Sequence, residues 1–366
     1  MKITGIQTVR NVMPKKDPTW RFALGAFPDS RGLVVKLSTD GGHTGVGYVG
    51  SDSPFAGGGT DFMEAILKRF VPCVTAQSPF DMEKILGDID RVPLNDLSPD
   101  AASTERARMR ATSAIDMALH DLAGLSLNVP VYKLLGGLVR EEIPVIRIMA
   151  LKEPEEMAEV ALELKNDGYK YMKIKLDGNS GKDVERVKRV RDAVGPNIHL
   201  TVDANQSYSP EAAVEAIGEM AKYGVELVEQ PVAAGDIEGL VAVSRKARIP
   251  IEAHESVDSP VKVFNLAKRG FSGYMNVSVT LGGLRALKTV VDICKLAGVK
   301  CVISCVGTRI LSAASMHFVA ASGNIDFACQ VGEFARFNGD PATGLEVENG
   351  MLRVPHSPGL GVQVSV

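Results

Sequence analysis

The 366-residue chain has no basic excess: 41 Lys and Arg stand against 44 Asp and Glu, a formal net charge of -3. With a pI near 6.1, its composition gives no support to nucleic-acid or anionic-membrane binding. Cysteine is sparse and odd in number: Cys73, Cys294, Cys301, Cys305 and Cys329 show no paired metal spacing, and Cys301 and Cys305 lie in or beside an apolar run. Reduced, buried thiols are the expectation, not a disulfide framework. No apolar run approaches membrane-spanning length, and Met1-Lys2-Ile3 leads into an alternating strand instead of an apolar signal core. A soluble, cytoplasmic protein without a membrane partner is expected.

What is present is organised around Tyr171-Met172-Lys173-Ile174-Lys175-Leu176. Strict alternation reads as a strand with Lys173 and Lys175 on one face. A lone pair of this kind commonly guards an edge strand. Here, however, Asp203-Ala204-Asn205, Glu229-Gln230-Pro231 and His254-Glu255 follow at regular spacing, each closing its own apolar run. Acids and bases recur where strands end.

Residues 1 to about 50 read as an antiparallel meander, with a turn at Thr39-Asp40-Gly41-Gly42. Two loops interrupt it: Asn11 to Ser30, carrying Trp20, Arg21 and Phe22, and the glycine-rich Gly50 to Gly59. Helices are expected over 61–71, 81–89 and 101–125. From Ile143 onward, β-branched runs alternate with amphipathic helices; centring strands on 174, 201, 228, 252, 276, 303 and 330 gives intervals of 27, 27, 24, 24, 27 and 27. With Ile143–Ala150 as the first and Phe327–Glu333 as the last, eight strands at this period predict an α/β fold of the (β/α)8, TIM-like barrel type. A doubly wound sheet is the competitor, but no Gly-x-Gly-x-x-Gly turn follows the first strand. The expected organisation is an α+β N-terminal capping domain over residues 1–125, a modified barrel over 126–333, and a C-terminal segment, 334–366, that returns to the cap.

Barrel active sites lie at the carboxyl ends of the strands. Oxygen or imidazole groups at three neighbouring strand ends, Asp203, Glu229 and His254 with Glu255, would converge on one divalent cation. In combination, Lys173-Ile174-Lys175, Asp203-Ala204-Asn205 and Glu229-Gln230-Pro231 resemble the enolase superfamily, specifically its muconate lactonizing enzyme and mandelate racemase branch. The resemblance implies Lys175 as base, Lys173 as its electrostatic neighbour, Asp203 and Glu229 as metal ligands, and Asn205 behind them. It also implies Mg2+ as cofactor, a small carboxylate as substrate and a homo-oligomeric assembly.

Two departures from that pattern stand out. Strand five of the lactonizing branch supplies an Asp ligand where this chain has His254, followed by Glu255. If His254 ligates, Mn2+ or another nitrogen-tolerant cation is favoured; Glu255, by likeness to the racemase branch, is preferred. Strand six lacks the branch's second lysine, its position falling on Ser278, and strand seven has no histidine; His317 lies in the next helix. One base suits elimination better than racemisation, so a dehydratase of a hydroxy acid or hydroxy amino acid is expected. Cycloisomerase, racemase or epimerase are the alternatives, with a degenerate ligand-binding homologue from outside enzymology. Substrate contacts are expected from Trp20, Arg21, Arg147, Ser278 and Glu333.

Overall fold

The computed structural model describes residues 1–53, 56–98 and 100–365. Positions 54 and 55, within the expected glycine-rich loop, lie outside it. The cap is a three-stranded antiparallel sheet in which Asp29–Thr39 runs between Ile3–Pro14 and Thr44–Ser51. Its first strand extends to Pro14, and the long loop expected after it contains a two-residue hairpin, Arg21–Phe22 with Gly25–Ala26.

The helix Ala101–Leu127 packs on this sheet and is buried without interruption from Ala111 to Gly124. A helix buried on all sides must be flanked on all sides. The sheet covers one flank, where only glycine permits the approach: a Cβ at Gly47 would sit 1.9 Å from the Ala114 carbonyl. Barrel helix Gly283–Leu296 covers another, and its free N-terminal amides meet the cap helix. Leu284 N donates to Asp116 Oδ2 at 2.5 Å and Gly282 N to Ser113 Oγ at 2.9 Å. The anion-binding capacity of this helix N-terminus is therefore taken by the chain's own Asp116.

Seven parallel strands follow in sequential order: Ile146–Met149, Tyr171–Lys175, His199–Asp203, Val225–Glu229, Ile251–Ala253, Gly273–Val277 and Lys300–Ile303. The expected first strand is divided. Glu142–Pro144 pairs antiparallel with Met351–Arg353, and only Ile146–Met149 enters the barrel. The expected eighth strand, Phe327–Glu333, is not a regular strand. Parallel bridges Val145↔Cys329 and Ser304↔Gln330, with Ile146 N to Cys329 O at 2.9 Å and Cys305 N to Gln330 O at 3.0 Å, still join the first strand to the seventh. Beyond Gly332 the chain turns into the short helix Glu333–Arg336, so the wall closes with two residues instead of seven. Among the described residues no helix is long and apolar enough to cross a membrane.

The C-terminal segment comes back to the cap. Asn338 N donates to Pro14 O at 2.9 Å, and buried Asp121 accepts from Leu360 N at 2.7 Å and from Val46 N at 2.9 Å. Burial pushes the Asp121 carboxyl up to about 6, with the two amide donors opposing it. A folded value above that of an unfolded aspartate means proton uptake on folding, so stability from this group is full below about pH 4 and lost as pH rises through about 6. Urea denaturation of wild type and Asp121→Asn across this range tests the sign. The wild type should lose about 2–3 kcal/mol relative to the non-titrating variant between about pH 4 and pH 7.

Candidate active site

Lys173 and Lys175 both point inward, as the alternation requires, but their partners differ. Lys173 is fully buried, bonds Glu229 Oε2 and lies 3.6 Å from Glu252 Oε2. Burial by itself would lower its pKa; Glu229, Glu252 and Asp203 outweigh that and hold the ammonium above the usual lysine range. The Lys173 charge is thus answered by carboxylates inside the barrel. Lys175 bonds Asp203 Oδ2 and donates to Asn205 Oδ1 at 2.8 Å.

Sheet register brings the acids together. Lys175 pairs with Asp203, Asp203 with Glu229, and Glu229 with Glu252 across successive strands. Sequence reading passed over Glu252, although it stands two residues before His254 on the same alternating face. It is fully buried and both its oxygens lack hydrogen-bond partners among the described residues. Burial pushes it up to about 7, with Lys173 opposing and Glu229 reinforcing. Burial would also raise Glu229, but Lys173 and His254 hold it well below the carboxylate range.

The strand-five turn presents His254 and Glu255. His254 Nδ1 lies 2.7 Å from Glu229 Oε1 and 3.8 Å from Glu255 Oε2, and Asn205 Nδ2 donates to Glu255 Oε1 at 3.0 Å. Gln230, at φ +33°, clamps this turn: its Oε1 accepts from His254 N at 2.9 Å and Ser256 N at 3.2 Å, and its Nε2 donates to Val232 O and Ser256 Oγ. Burial would lower the imidazole pKa, but Glu229, then Glu255 and Asp203, push it up to about 9. A field that holds a proton this firmly also suits a divalent cation. Glu229, His254 and Glu255 offer ligand atoms all within 4.8 Å of one another. Glu255 Oε2 is buried and unpartnered, and His254 Nδ1 lacks hydrogen-bond geometry despite its short distance to Glu229. Such a nitrogen and oxygen set fits a cation.

A cavity of about 750 Å³ opens above these groups, with Lys175, Asp203, Glu229, His254, Glu255, Asn276, Ser278, Ser304 and Gln330 in its wall. The hairpin loop supplies an aromatic wall. The Phe22 ring is 5.1 Å from Lys175 Nζ, and Trp20 is 5.6 Å from Phe22. Lys15 Nζ and Arg336 Cζ stack on Trp20 at 4.1 and 4.3 Å, a pair of cations at the cavity edge that sequence reading did not single out. Three expected contacts are placed elsewhere. Arg147 Nη1 faces Glu333 Oε1 at 3.6 Å and Arg336 Nε lies 2.6 Å from Glu333 Oε2, so Glu333 sits between two guanidiniums, and neither it nor Arg147 is in the cavity wall. Arg21 is exposed, and its carbonyl accepts from Leu151 N at the barrel.

Residues 3–136 match the mandelate racemase / muconate lactonizing enzyme N-terminal domain, and residues 156–365 match the enolase C-terminal domain-like family. The chain is 32% identical to a hydrophobic dipeptide epimerase of Enterococcus faecalis over 99% of each chain. It is 30% identical to muconate cycloisomerase 1 of Rhodococcus opacus, covering 100% of this chain and 97% of that protein. Among solved structures, the dipeptide epimerase of Enterococcus faecalis complexed with Mg and the dipeptide L-Leu-L-Tyr superposes with a TM-score of 0.90 at 32% identity, over 99% of this chain and 100% of the other. These relatives are isomerases, and the comparison carries a divalent metal with it. Fold, strand-end acids and both domain matches agree: the chain belongs to the mandelate racemase / muconate lactonizing enzyme branch of the enolase superfamily.

Proposed function

We propose that this enzyme removes the proton α to a substrate carboxylate with Lys175, and that the reaction is a one-base β-elimination, the dehydration of a small hydroxy acid or hydroxy amino acid. The observation that carries this reading is the asymmetry of the cavity. Lys175 stands on strand two, whereas strands six and seven contribute Asn276, Ser278, Ser304 and Cys305. None is a base at neutral pH; burial pushes the Cys305 thiol up to about 11.

A proton next to a carboxylate is weakly acidic because its removal places a second negative charge on the same group. Asp203, Glu229 and Glu255 with His254 would hold a divalent cation, which when bound neutralises that developing charge. Lys175 takes the proton, and Asn205 keeps its amine oriented at 2.8 Å while bonding Glu255. The Cα–H electron pair becomes the new double bond as the β C–O bond breaks. The departing hydroxyl leaves as water, protonated by the Lys175 ammonium when loss is syn. Phe22, 5.1 Å from Lys175 Nζ, screens the amine from bulk water.

The relatives support a second reading, an epimerase, racemase or cycloisomerase of the same superfamily. Both begin with the same proton transfer, and they part at the product. Incubating hydroxy acids, hydroxy amino acids and dipeptides in deuterated buffer with Mg2+ or Mn2+ separates them. Deuterium at the α-carbon with retained configuration, or an unsaturated acid, seen as the keto acid where an α-hydroxyl makes it an enol that tautomerises or an α-amine makes it an enamine that water hydrolyses with release of ammonia, supports one-base chemistry; inverted, deuterated product supports the epimerase. Silence across the library leaves a degenerate binding protein. In Lys175→Met, exchange should fall by about 10²- to 10⁴-fold with an unchanged melting temperature. Undiminished exchange in that variant would remove Lys175 from the mechanism.

Metal removal is an independent check. Dialysis against EDTA should abolish exchange, and added divalent cation should restore it, because Asp203, Glu229 and Glu255 alone repel a second negative charge on the substrate.

A further inference from the structure

We infer that His254 is itself a ligand of the cation, through Nδ1, so that the site binds a nitrogen-tolerant metal such as Mn2+ or Co2+ in preference to Mg2+. This rests on the reading of the strand-end cluster as a divalent cation site and goes beyond it by naming the donor and the metal class. Sequence comparison of ligand types favoured Glu255 as the third donor; the geometry adds the imidazole to it. Lys173 occupies Glu229 Oε2, and Oε1, which accepts a long hydrogen bond from Asn276 Nδ2 at 3.5 Å, faces His254 Nδ1 at 2.7 Å. The contact has the distance of a hydrogen bond without its angles, so neither atom is locked to the other and both can turn to a shared cation. Glu255 Oε2, 3.8 Å from the same nitrogen, is buried with no hydrogen-bond partner. All three atoms fall within one sphere of ligand size.

The imidazole does not reach this place by side-chain freedom. Gln230 spends both halves of its amide on the 254–256 turn and its neighbour, accepting from two backbone amides and donating to Val232 O and Ser256 Oγ. The ring is delivered by a fixed backbone, which lowers the entropy lost on coordination. An imidazole in place of a carboxylate changes selectivity in a defined direction. Mg2+ prefers hard oxygen donors and keeps its waters, whereas later first-row ions gain from nitrogen.

Nitrogen coordination has a spectroscopic signature that needs no substrate. Mn2+ bound to the wild-type protein should show 14N coupling in pulsed EPR, and competition titrations should place Mn2+ or Co2+ ahead of Mg2+ by at least about tenfold. His254→Asp should lose the coupling, keep Mn2+ binding and narrow the preference toward Mg2+. Bound Mn2+ without nitrogen coupling in the wild type would overturn the assignment of His254 while leaving the cation site intact. Wild-type protein that takes up neither Mn2+ nor Mg2+ would overturn both. Melting temperatures within a few degrees of each other keep the variant comparison free of misfolding.

Discussion

Inside the barrel, one ammonium sits where water cannot reach it, and the surrounding architecture answers it. Lys173 is fully buried between Glu229 and Glu252. Moving one such ion out of water costs several kcal/mol even after relaxation, and only close opposite charge offsets the penalty. That demand couples three strands: the lysine comes from strand two, its partners from strands four and five. Glu229 is bonded to Lys173 through one oxygen and turns the other to His254 Nδ1 at 2.7 Å and Asn276 Nδ2 at 3.5 Å, so the buried pair also orients the carboxylate proposed as a cation ligand. Glu252 is the less satisfied partner, with no hydrogen bond to either oxygen. Its carboxyl, pushed up to about 7 by burial, stands two residues before His254 on the same strand end.

The cap is joined to the barrel by the same economy of buried carboxylates. Asp116 closes the N-terminus of a barrel helix, and Asp121 ties the cap sheet to the C-terminal segment. Both reside on one helix that is covered on every side. This makes the cap a fixed roof, from which the Trp20 and Phe22 hairpin reaches down to Lys175. The aromatic wall does not float over the mouth. Leu151 N holds the Arg21 carbonyl, and Lys16 N donates to Arg336 O at 2.8 Å, so the chain leading into the hairpin is stitched to a barrel loop and to the segment after the eighth strand position. A substrate entering the cavity meets an apolar roof with two stacked cations at its edge and a polar, charge-bearing floor.

Local pattern was enough for the repeat. The 24- to 27-residue period announced strand–helix units, and alternation within Tyr171–Lys175 put both lysines on one face before any contact was known. Asp203, Glu229, His254 and Glu255 were legible because each ends a strand, and barrel geometry sends strand ends to one mouth. The same alternation, applied two residues before His254, would have found Glu252. Arg147, on strand one, and Glu333, at the end of the expected eighth strand, were legible as charges but not as partners of each other; facing pairs across the closure depend on how the ring shuts. The eighth strand was read from an apolar run that the structure keeps only as two bridges, since the wall needs few hydrogen bonds to close and Gly332 then releases the chain.

The sequence by itself determined the order of elements, the inward direction of the lysines and the chemical types at the strand ends, because these follow from spacing along one chain. Only the tertiary structure decided who faces whom: that Lys173 is held by Glu229 and Glu252, that Asp116 fills a helix end, and that the imidazole of His254 meets Glu229 and Glu255 around one point. Periodicity tells a side chain which way to point. The distances that turn two charges into a pair, or three donors into a site, are set when residues far apart in sequence pack against each other.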